Sequence, residues 1–281
     1  MGKNRKRYSR KYYKSAELPP CDYLESDSEL QAEEVIKKIY STKFNLKSSA
    51  YISETFTAFK KVQELHPHLQ KIDTIVCFGL GHFGWCATSR NQLGFISLIK
   101  EYLEIQEVLF QDPVFTPKEA EILKNLGFSV IPGNLEGKFG IDQEKKYLIY
   151  LPHCPKQLTN NFLWKNWGTK LSNILLLSNS FSSVLISGSK SNLQIDAGLI
   201  LKAEEFTEEI PLENNFIYTD VFNDTSIHVF PRDKLEVVPE VLWSERGPEP
   251  EYNDPEFITC ALQCIKLEDD GSRKDTAISS Q

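Results

Sequence analysis

An apolar run early in the sequence is followed by three glycines. Their spacing suits close approach of the backbone to a ligand. Residues 72–78 have the apolar character of a buried strand, and Gly79, Gly81 and Gly84 then satisfy the pattern G-x-G-x-x-G. Glycines placed after a strand can aim backbone N–H groups at a phosphate. Asp112 ends the next apolar run, where a carboxylate can accept hydrogen bonds from ribose hydroxyls. The pattern predicts a site for S-adenosylmethionine or a nucleotide.

A structural interpretation of the same residues stays open. The glycines would also serve a tight turn between a strand and a helix, and Asp112 would cap a turn beside Pro113. Asp112 lies farther along the chain from the glycines than the usual distance of about 20 residues. The following helix is predicted to begin near Ser89, so its N-terminus need not face a bound phosphate.

A second reactive group follows the apolar run at residues 147–151, in the segment Pro152-His153-Cys154-Pro155. His153 and Cys154 have the residue types of a base–nucleophile pair, but adjacent residues of an extended segment point to opposite sides. One His and one Cys fall short of the four ligands of a tetrahedral metal site, so no metal is expected. A thiolate can ligate haem iron, which leaves haem at Cys154 as an alternative. The structural alternative is a loop stiffened by two prolines, with His153 bonded to backbone.

Asn179 ends a further apolar run and precedes Ser180 and Phe181. Parallel strands place their carboxyl ends at the same edge of a sheet. We therefore expect Asn179 and His153 to lie near the glycine segment and Asp112, forming one candidate cofactor site.

The elements that must position these residues alternate between strand and helix. Apolar runs with strand character lie at residues 72–78, 107–111, 128–131, 147–151 and 173–177. Strands of this kind imply a parallel sheet covered on both faces. Three later runs, at residues 199–206, 216–221 and 227–230, have little helical pattern between them and are interpreted as antiparallel strands. The prediction is an α/β fold, Rossmann-like and doubly wound, with a mostly parallel sheet and late antiparallel strands.

Capping patterns predict where several helices begin. Thr116-Pro117 with Glu119 combines an N-cap, proline at the first helical position and glutamate at the third. Helices are also expected from about Ser28, Ser53 and Ser89.

Composition indicates a single domain with flexible tails. The chain has 281 residues, of which 41% are hydrophobic and 11% aromatic, enough to bury a sizeable core. We expect a basic disordered arm at residues 1–27, an α/β domain at 28–238 and an acidic, mostly disordered tail at 239–281.

Charge is distributed unevenly along the chain. Residues 1–14 carry seven Lys or Arg and no acid, whereas the whole chain has a net charge of −7. A protein that is acidic outside one basic arm is not expected to bind nucleic acid sequence-specifically. The arm has the composition of a nuclear-import signal or of a contact for anionic partners, and also that of a solvated tail.

Membrane insertion and secretion are not expected. The sequence has no apolar run near the about 18 residues of a membrane span, and its first 20 residues lack the apolar core of a signal peptide. None of the six cysteines forms a Cys-x-x-Cys pair. Reduced thiols and a cytoplasmic and nuclear location are therefore expected.

Motifs between about Thr74 and Phe230 resemble those of the sensitivity-to-red-light-reduced family. They are Cys77-Phe78-Gly79-Leu80-Gly81, Asn91-Gln92-Leu93, Asp112-Pro113-Val114-Phe115-Thr116, Leu126-Gly127-Phe128, Leu151-Pro152-His153-Cys154-Pro155, Asn160-Asn161, Leu163-Trp164, Asn166-Trp167, Asn179-Ser180-Phe181 and Phe222-Asn223-Asp224-Thr225-Ser226 with His228 and Phe230. Their order and number make the resemblance specific.

The resemblance implies a cytoplasmic and nuclear regulator involved in circadian-clock input, core clock gene expression and, in animal members, regulation of haem biosynthesis. It implies protein partners, of unknown identity, and no established catalytic activity. The competing class, suggested by the glycine segment and Asp112, is a Rossmann-type enzyme or sensor of the methyltransferase-like kind that uses S-adenosylmethionine or a nucleotide.

Overall fold

The computed structural model describes residues 27–252, 254 and 257, which fold around one seven-stranded sheet of order β3-β2-β1-β4-β5-β7-β6. The strands are β1 (Thr74–Phe78), β2 (Glu107–Gln111), β3 (Ser129–Val130), β4 (Tyr147–Tyr150), β5 (Ile174–Asn179), β6 (Glu208–Pro211) and β7 (Thr225–Val229). The first five strands pair in parallel, and β7 joins antiparallel to β5 and β6. The predicted Rossmann-like α/β fold with late antiparallel strands is confirmed.

The central strands are mostly apolar because helices cover both faces of the sheet. Every residue of β1 and β4 is buried. Successive side chains point to opposite faces. Ile75 and Cys77 pack in one core, whereas Val76 and Phe78 pack in the other.

The helices are α1 (Ala32–Lys47), α2 (Ala50–Leu65), α3 (Ala87–Tyr102), α4 (Pro117–Asn125), α5 (Lys156–Asn166), α6 (Phe181–Ser187), α7 (Lys190–Ala203), α8 (Arg232–Glu236) and α9 (Glu240–Ser244). The first core contains side chains of α1 to α4, and the second contains those of α5 and α7. The carboxyl edge of the sheet lies between these two layers and receives the loops after β1, β2, β4 and β5.

The capping box predicted for α4 is present. Thr116 Oγ1 accepts the backbone N–H of Glu119 at 3.1 Å, and Glu119 Oε2 accepts that of Thr116 at 3.1 Å. The helix predicted to begin near Ser89 is α3, which begins at Ala87, so Ser89 lies buried inside the helix and is not its N-cap.

Two of the three predicted late strands are wrong. Residues 199–206 are helical, forming the end of α7 and a 3₁₀ turn at Glu204–Phe206. Leu199, Ile200, Ala203 and Phe206 are buried at helical spacing, so the run is apolar on one helical face and not on two strand faces.

Residues 216–221 contain only a 3₁₀ turn at their end, Thr219–Val221. Phe216 and Phe222 instead pack beside the buried ring of Tyr51, at centroid distances of 6.5 and 4.5 Å. The strand of this region is β6, Glu208–Pro211, whose two acids and proline suit a sheet edge and gave no apolar signal.

Some described residues of the predicted C-terminal tail contact the domain, while the expectation of a mostly disordered tail stays a prediction. The ring of Trp243 in α9 lies 5.4 Å from those of Trp167 and Phe206. Phe257 is only 2% exposed. Residues 258–281 and most of the predicted basic arm lie outside the described residues, and the domain boundaries at 28 and 238 stay predictions.

Within the described part of the chain, none of the helices combines the length and apolarity that crossing a membrane requires.

Candidate functional site

The loops that carry the predicted site residues meet at the carboxyl edge of the sheet. Gly79 directly follows β1 and lies against Cys154 of the loop after β4, so that a Cβ at Gly79 would overlap the Cys154 sulfur. Asn179, at the end of β5, donates from Nδ2 to the Cys154 carbonyl at 3.0 Å. The backbone N–H of Gly81 donates to Asp112 Oδ2 at 2.7 Å. The predicted convergence is confirmed, whereas cofactor binding by these residues stays a prediction.

The strand order reverses between β1 and β4, which is where open α/β sheets form a ligand crevice. Here the crevice is narrowed by Cys154, whose S–H donates to the Phe78 carbonyl at 3.3 Å. Gly79 and Gly81 have φ angles of +64° and +75°, the left-handed region that glycine adopts without steric cost.

The amide groups of the three glycines have acceptors inside the protein. Gly79 N–H donates to the Gln111 carbonyl at 3.3 Å, and Gly81 N–H to Asp112. Gly84 N–H donates to Glu119 Oε1 at 2.8 Å. Since two of these three acceptors are side-chain carboxyl groups, the segment is not arranged as a phosphate cradle.

The Asp112 carboxyl group caps a turn and can also accept hydrogen bonds from a ligand. Its Oδ1 accepts the Val114 N–H at 3.0 Å, which is the turn cap expected beside Pro113. Burial raises the pKa of the Asp112 carboxyl, and the hydrogen bonds from Gly81 and Val114 partly oppose that rise. A carboxylate offers about four lone-pair sites, so hydroxyl or amine donors can still bind it.

A cavity of about 120 Å³ adjoins Asp112 at this edge. It is lined by Gly79, Gln111, Asp112, Pro113, Asn134, Pro155, Leu158 and Phe257. Its volume is close to that of the about 150 Å³ cavity that holds one benzene molecule. The cavity therefore has room for a single aromatic ring, with a carboxyl group in its wall.

His82 and Glu119 form a pair at this edge that the sequence patterns did not single out. Glu119 has no exposed surface, and its Oε2 accepts His82 Nδ1–H at 3.0 Å. The imidazole stacks on Trp85 with centroids 4.3 Å apart. Glu119 thus joins the glycine segment to α4. The capping pattern in the sequence identified Glu119, but it did not predict the contact of Glu119 with His82.

His153 and Cys154 do not form a base–nucleophile pair. The His153 ring donates from Nε2 to the Asn223 carbonyl at 3.0 Å, whereas the Cys154 thiol turns to Phe78. Burial lowers the pKa of His153 and raises the pKa of the Cys154 thiol well above its usual value. A buried, protonated thiol does not fit a haem-ligating thiolate, so the haem alternative at Cys154 is not supported by its surroundings.

The polar residues of α5 hold the C-terminal segment. Asn160 Nδ2 donates to the Tyr252 hydroxyl at 2.8 Å, and that hydroxyl donates to Asn161 Oδ1 at 3.1 Å. Gln157 Nε2 donates to Asp254 Oδ2 at 2.8 Å. We call residues 245–252 with Asp254 and Phe257 the C-terminal strap. The sequence patterns did not indicate that the C-terminal segment is the partner of these amides.

His228 of β7 is a fully buried histidine with a structural role. Its Nδ1–H donates to the Leu176 carbonyl at 3.2 Å, and its Nε2 accepts the Phe181 N–H at 3.3 Å. Burial lowers the pKa of His228 to about 4, and the nearby Glu209 carboxylate opposes that shift. Both ring nitrogens have partners in the neutral form.

Among the residues that the structure describes, no group of three or more His, Cys, Asp or Glu side chains is placed to hold a metal ion.

The fold has distant neighbours among solved structures. The M. capricolum TrmK in complex with S-adenosyl-homocysteine matches with 15% identity and a TM-score of 0.32, over 78% of this chain and 87% of that one. The plantazolicin methyltransferase BpumL matches with 13% identity and a TM-score of 0.31, over 70% of this chain and 92% of that one.

Sequence relatives are closer. The SRR1-like protein of Drosophila melanogaster is 32% identical over 211 residues, which are 73% of this chain and 74% of the relative. The SRR1-like protein of Mus musculus is 40% identical over 38% of this chain and 43% of its own length. Protein SENSITIVITY TO RED LIGHT REDUCED 1 of Arabidopsis thaliana is 29% identical over 56% of this chain and 58% of its own.

The SRR1 domain model matches residues 54–229, which include β1 to β7 and all six predicted site residues. With this match and the extent of the Drosophila relative, the chain belongs to the SRR1 domain family.

Proposed function

We propose that this chain is a regulatory protein that acts through protein partners in the cytoplasm and nucleus. Its roles would be those that the family resemblance implies, in circadian-clock input, core clock gene expression and regulation of haem biosynthesis. The acidic balance outside the N-terminal arm supports partners other than sequence-specific nucleic acid sites.

The observation that carries this proposal is the way in which the motif residues are used. Gly81 and Gly84 donate to Asp112 and Glu119, and Asn179 and His153 tie the loops after β5 and β4 to neighbouring carbonyls. Such bonds hold a loop surface in one shape. A loop surface of fixed shape is what a binding protein needs.

The test is made in cells that lack the chain and are then complemented. We expect its loss to change the period of a core clock-gene reporter and the cellular haem content, and the full-length chain to restore both. Unchanged period and haem content after complete loss would contradict the proposal.

A second candidate function, binding of S-adenosylmethionine or a nucleotide, is favoured by Asp112 beside the edge cavity. The carboxyl groups of Asp112 and Glu119 lie next to the glycine segment, so the local charge favours hydroxyl, amine or cationic groups over phosphates. S-adenosylmethionine, which carries all three, fits better than NAD or ATP.

Calorimetric titration of the purified chain with S-adenosylmethionine, NAD and ATP tests this candidate. We expect heat with S-adenosylmethionine that Asp112→Asn abolishes, because the amide keeps the size of the carboxyl but not its charge. Asp142→Asn, at an exposed turn, is the matched control. Thermal melting of both variants shows whether they are folded, and no heat with any of the three ligands would exclude this candidate.

A further inference from the structure

We propose that the C-terminal strap is an autoinhibitory plug, in which Phe257 occupies space that a nucleoside-type ligand needs at the carboxyl edge. Ligand binding and strap docking would then exclude each other. This inference rests on the second candidate function and adds its regulation.

The strap is fixed along the surface of α5 and α7 before it reaches the cavity. The Glu245 carbonyl accepts Lys202 Nζ–H at 2.8 Å, and the Arg246 guanidinium lies 4.5 Å from the ring centroid of Trp164. Lys138 Nζ contacts Glu249 at 2.6 Å. These contacts are polar and lie at the surface, so each contributes little and can be exchanged for water.

The end of the strap is held differently. Tyr252 bonds to both Asn160 and Asn161, and its ring packs edge-on against Phe257 at 5.2 Å. Phe257 is 2% exposed and forms one wall of the cavity that also contacts Asp112. An aromatic side chain from the C-terminal segment therefore closes the space beside the proposed ligand-binding carboxyl.

The size of the cavity shows why the plug and the ligand compete. With Phe257 in place, about 120 Å³ is free, which is room for one ring and not for a ring with its ribose. Moving the phenylalanine ring out adds a space of ring size next to Asp112. A nucleoside fits the site only after Phe257 has left.

The anchoring amides make the closed form the resting state. Gln157, Asn160 and Asn161 are at most 3% exposed, and undocking the strap removes one hydrogen-bond partner from each. Undocking also moves the buried ring of Phe257 into water, and both changes cost free energy. The closed state is therefore favoured without ligand, and a ligand opens the site only by binding the open state preferentially.

The test compares two plug variants with the wild type. Phe257→Ala removes the plug, and Tyr252→Phe removes the hydroxyl anchor while keeping the ring. Phe44→Ala, at an exposed phenylalanine of α1, is the matched control. Affinities for S-adenosylmethionine and for adenosine are measured by calorimetry, and hydrogen exchange of residues 245–252 is followed with and without saturating ligand.

We expect Phe257→Ala to bind both probes about tenfold more tightly, because the apparent dissociation constant is the intrinsic one divided by the fraction of open molecules, and removing the plug raises that fraction. Tyr252→Phe should give a smaller gain, and Phe44→Ala none. Saturating S-adenosylmethionine should speed exchange in residues 245–252 of the wild type. If Phe257→Ala does not fold, Tyr252→Phe and the exchange measurement decide the question.

Wild-type affinity in both plug variants would overturn the plug while leaving the ligand site in place. Slower exchange of the strap with ligand would also overturn it, since the strap would then be a lid that closes over the ligand. No binding of either probe by any variant would reject the second candidate function and this inference with it.

Discussion

Replacing Gly79 by alanine is expected to strain the carboxyl end of β1 in two separable ways. The residue has a φ of +64°, and an added Cβ would overlap the sulfur of Cys154. Gly127 is the matched control, because its φ is +80° but nothing lies within 4 Å of an added Cβ. The two glycines therefore share the backbone penalty and differ in the overlap.

The magnitudes follow from these two effects. A left-handed conformation costs a non-glycine residue about 1–2 kcal/mol, which is the whole loss expected for Gly127→Ala. Overpacking adds about 1–3 kcal/mol, so Gly79→Ala should lose about 2–5 kcal/mol of unfolding free energy. Removing the sulfur in Cys154→Ala should relieve only the overlap.

The assay is urea unfolding of the wild type, Gly79→Ala, Cys154→Ala, the double variant and Gly127→Ala. In the double-mutant cycle, Gly79→Ala should cost about 1–3 kcal/mol less in the Cys154→Ala background than in the wild type. Equal losses for Gly79→Ala and Gly127→Ala, with no coupling to Cys154, would refute the packing of the glycine segment against the loop after β4.

The remaining predictions concern acid stability, the buried glutamate and the N-terminal arm. The pKa of His228 is about 4 in the folded chain, below its ordinary value of 6.5. The contribution of neutral His228 to the free energy of unfolding is therefore complete above pH 6.5 and is lost as the pH falls through 4, by about 3 kcal/mol. Urea unfolding between pH 7 and 4 measures this loss, and a pH dependence unchanged in His228→Gln would contradict it. Glu119→Gln should lose about 1–3 kcal/mol, because the charged acceptor of His82 and Gly84 is removed; the exposed Glu121→Gln should lose none in the same unfolding assay. Deleting residues 1–14 should leave the melting temperature unchanged and lower the nuclear fraction in part, as imaging would show; a lower melting temperature would mean that the arm packs on the domain.

The central strands and the start of α4 could be predicted because their causes are local in the chain. A strand buried on both faces must be mostly apolar, and the capping box of Thr116 and Glu119 needs only residues three apart. The order of these elements also placed Gly79, Asp112 and Asn179 at one edge, because parallel strands end on the same side.

Other features depend on contacts between distant parts of the chain. Residues 199–206 are helical because they pack against α5. Strand β6 forms because the edge of β7 supplies the backbone groups with which it pairs. A sequence pattern does not contain these neighbours.

The same limit applies to the site. The sequence determined that a glycine segment and an aspartate would share the carboxyl edge, since strand order and residue type are both written in the chain. Only the tertiary structure decided that the N–H of Gly81 turns to Asp112, 31 residues away, and that the ring of Phe257 closes the cavity beside it. Hydrogen bonds and burial depend on where the partner lies in space, and for Phe257 that partner is distant in the sequence.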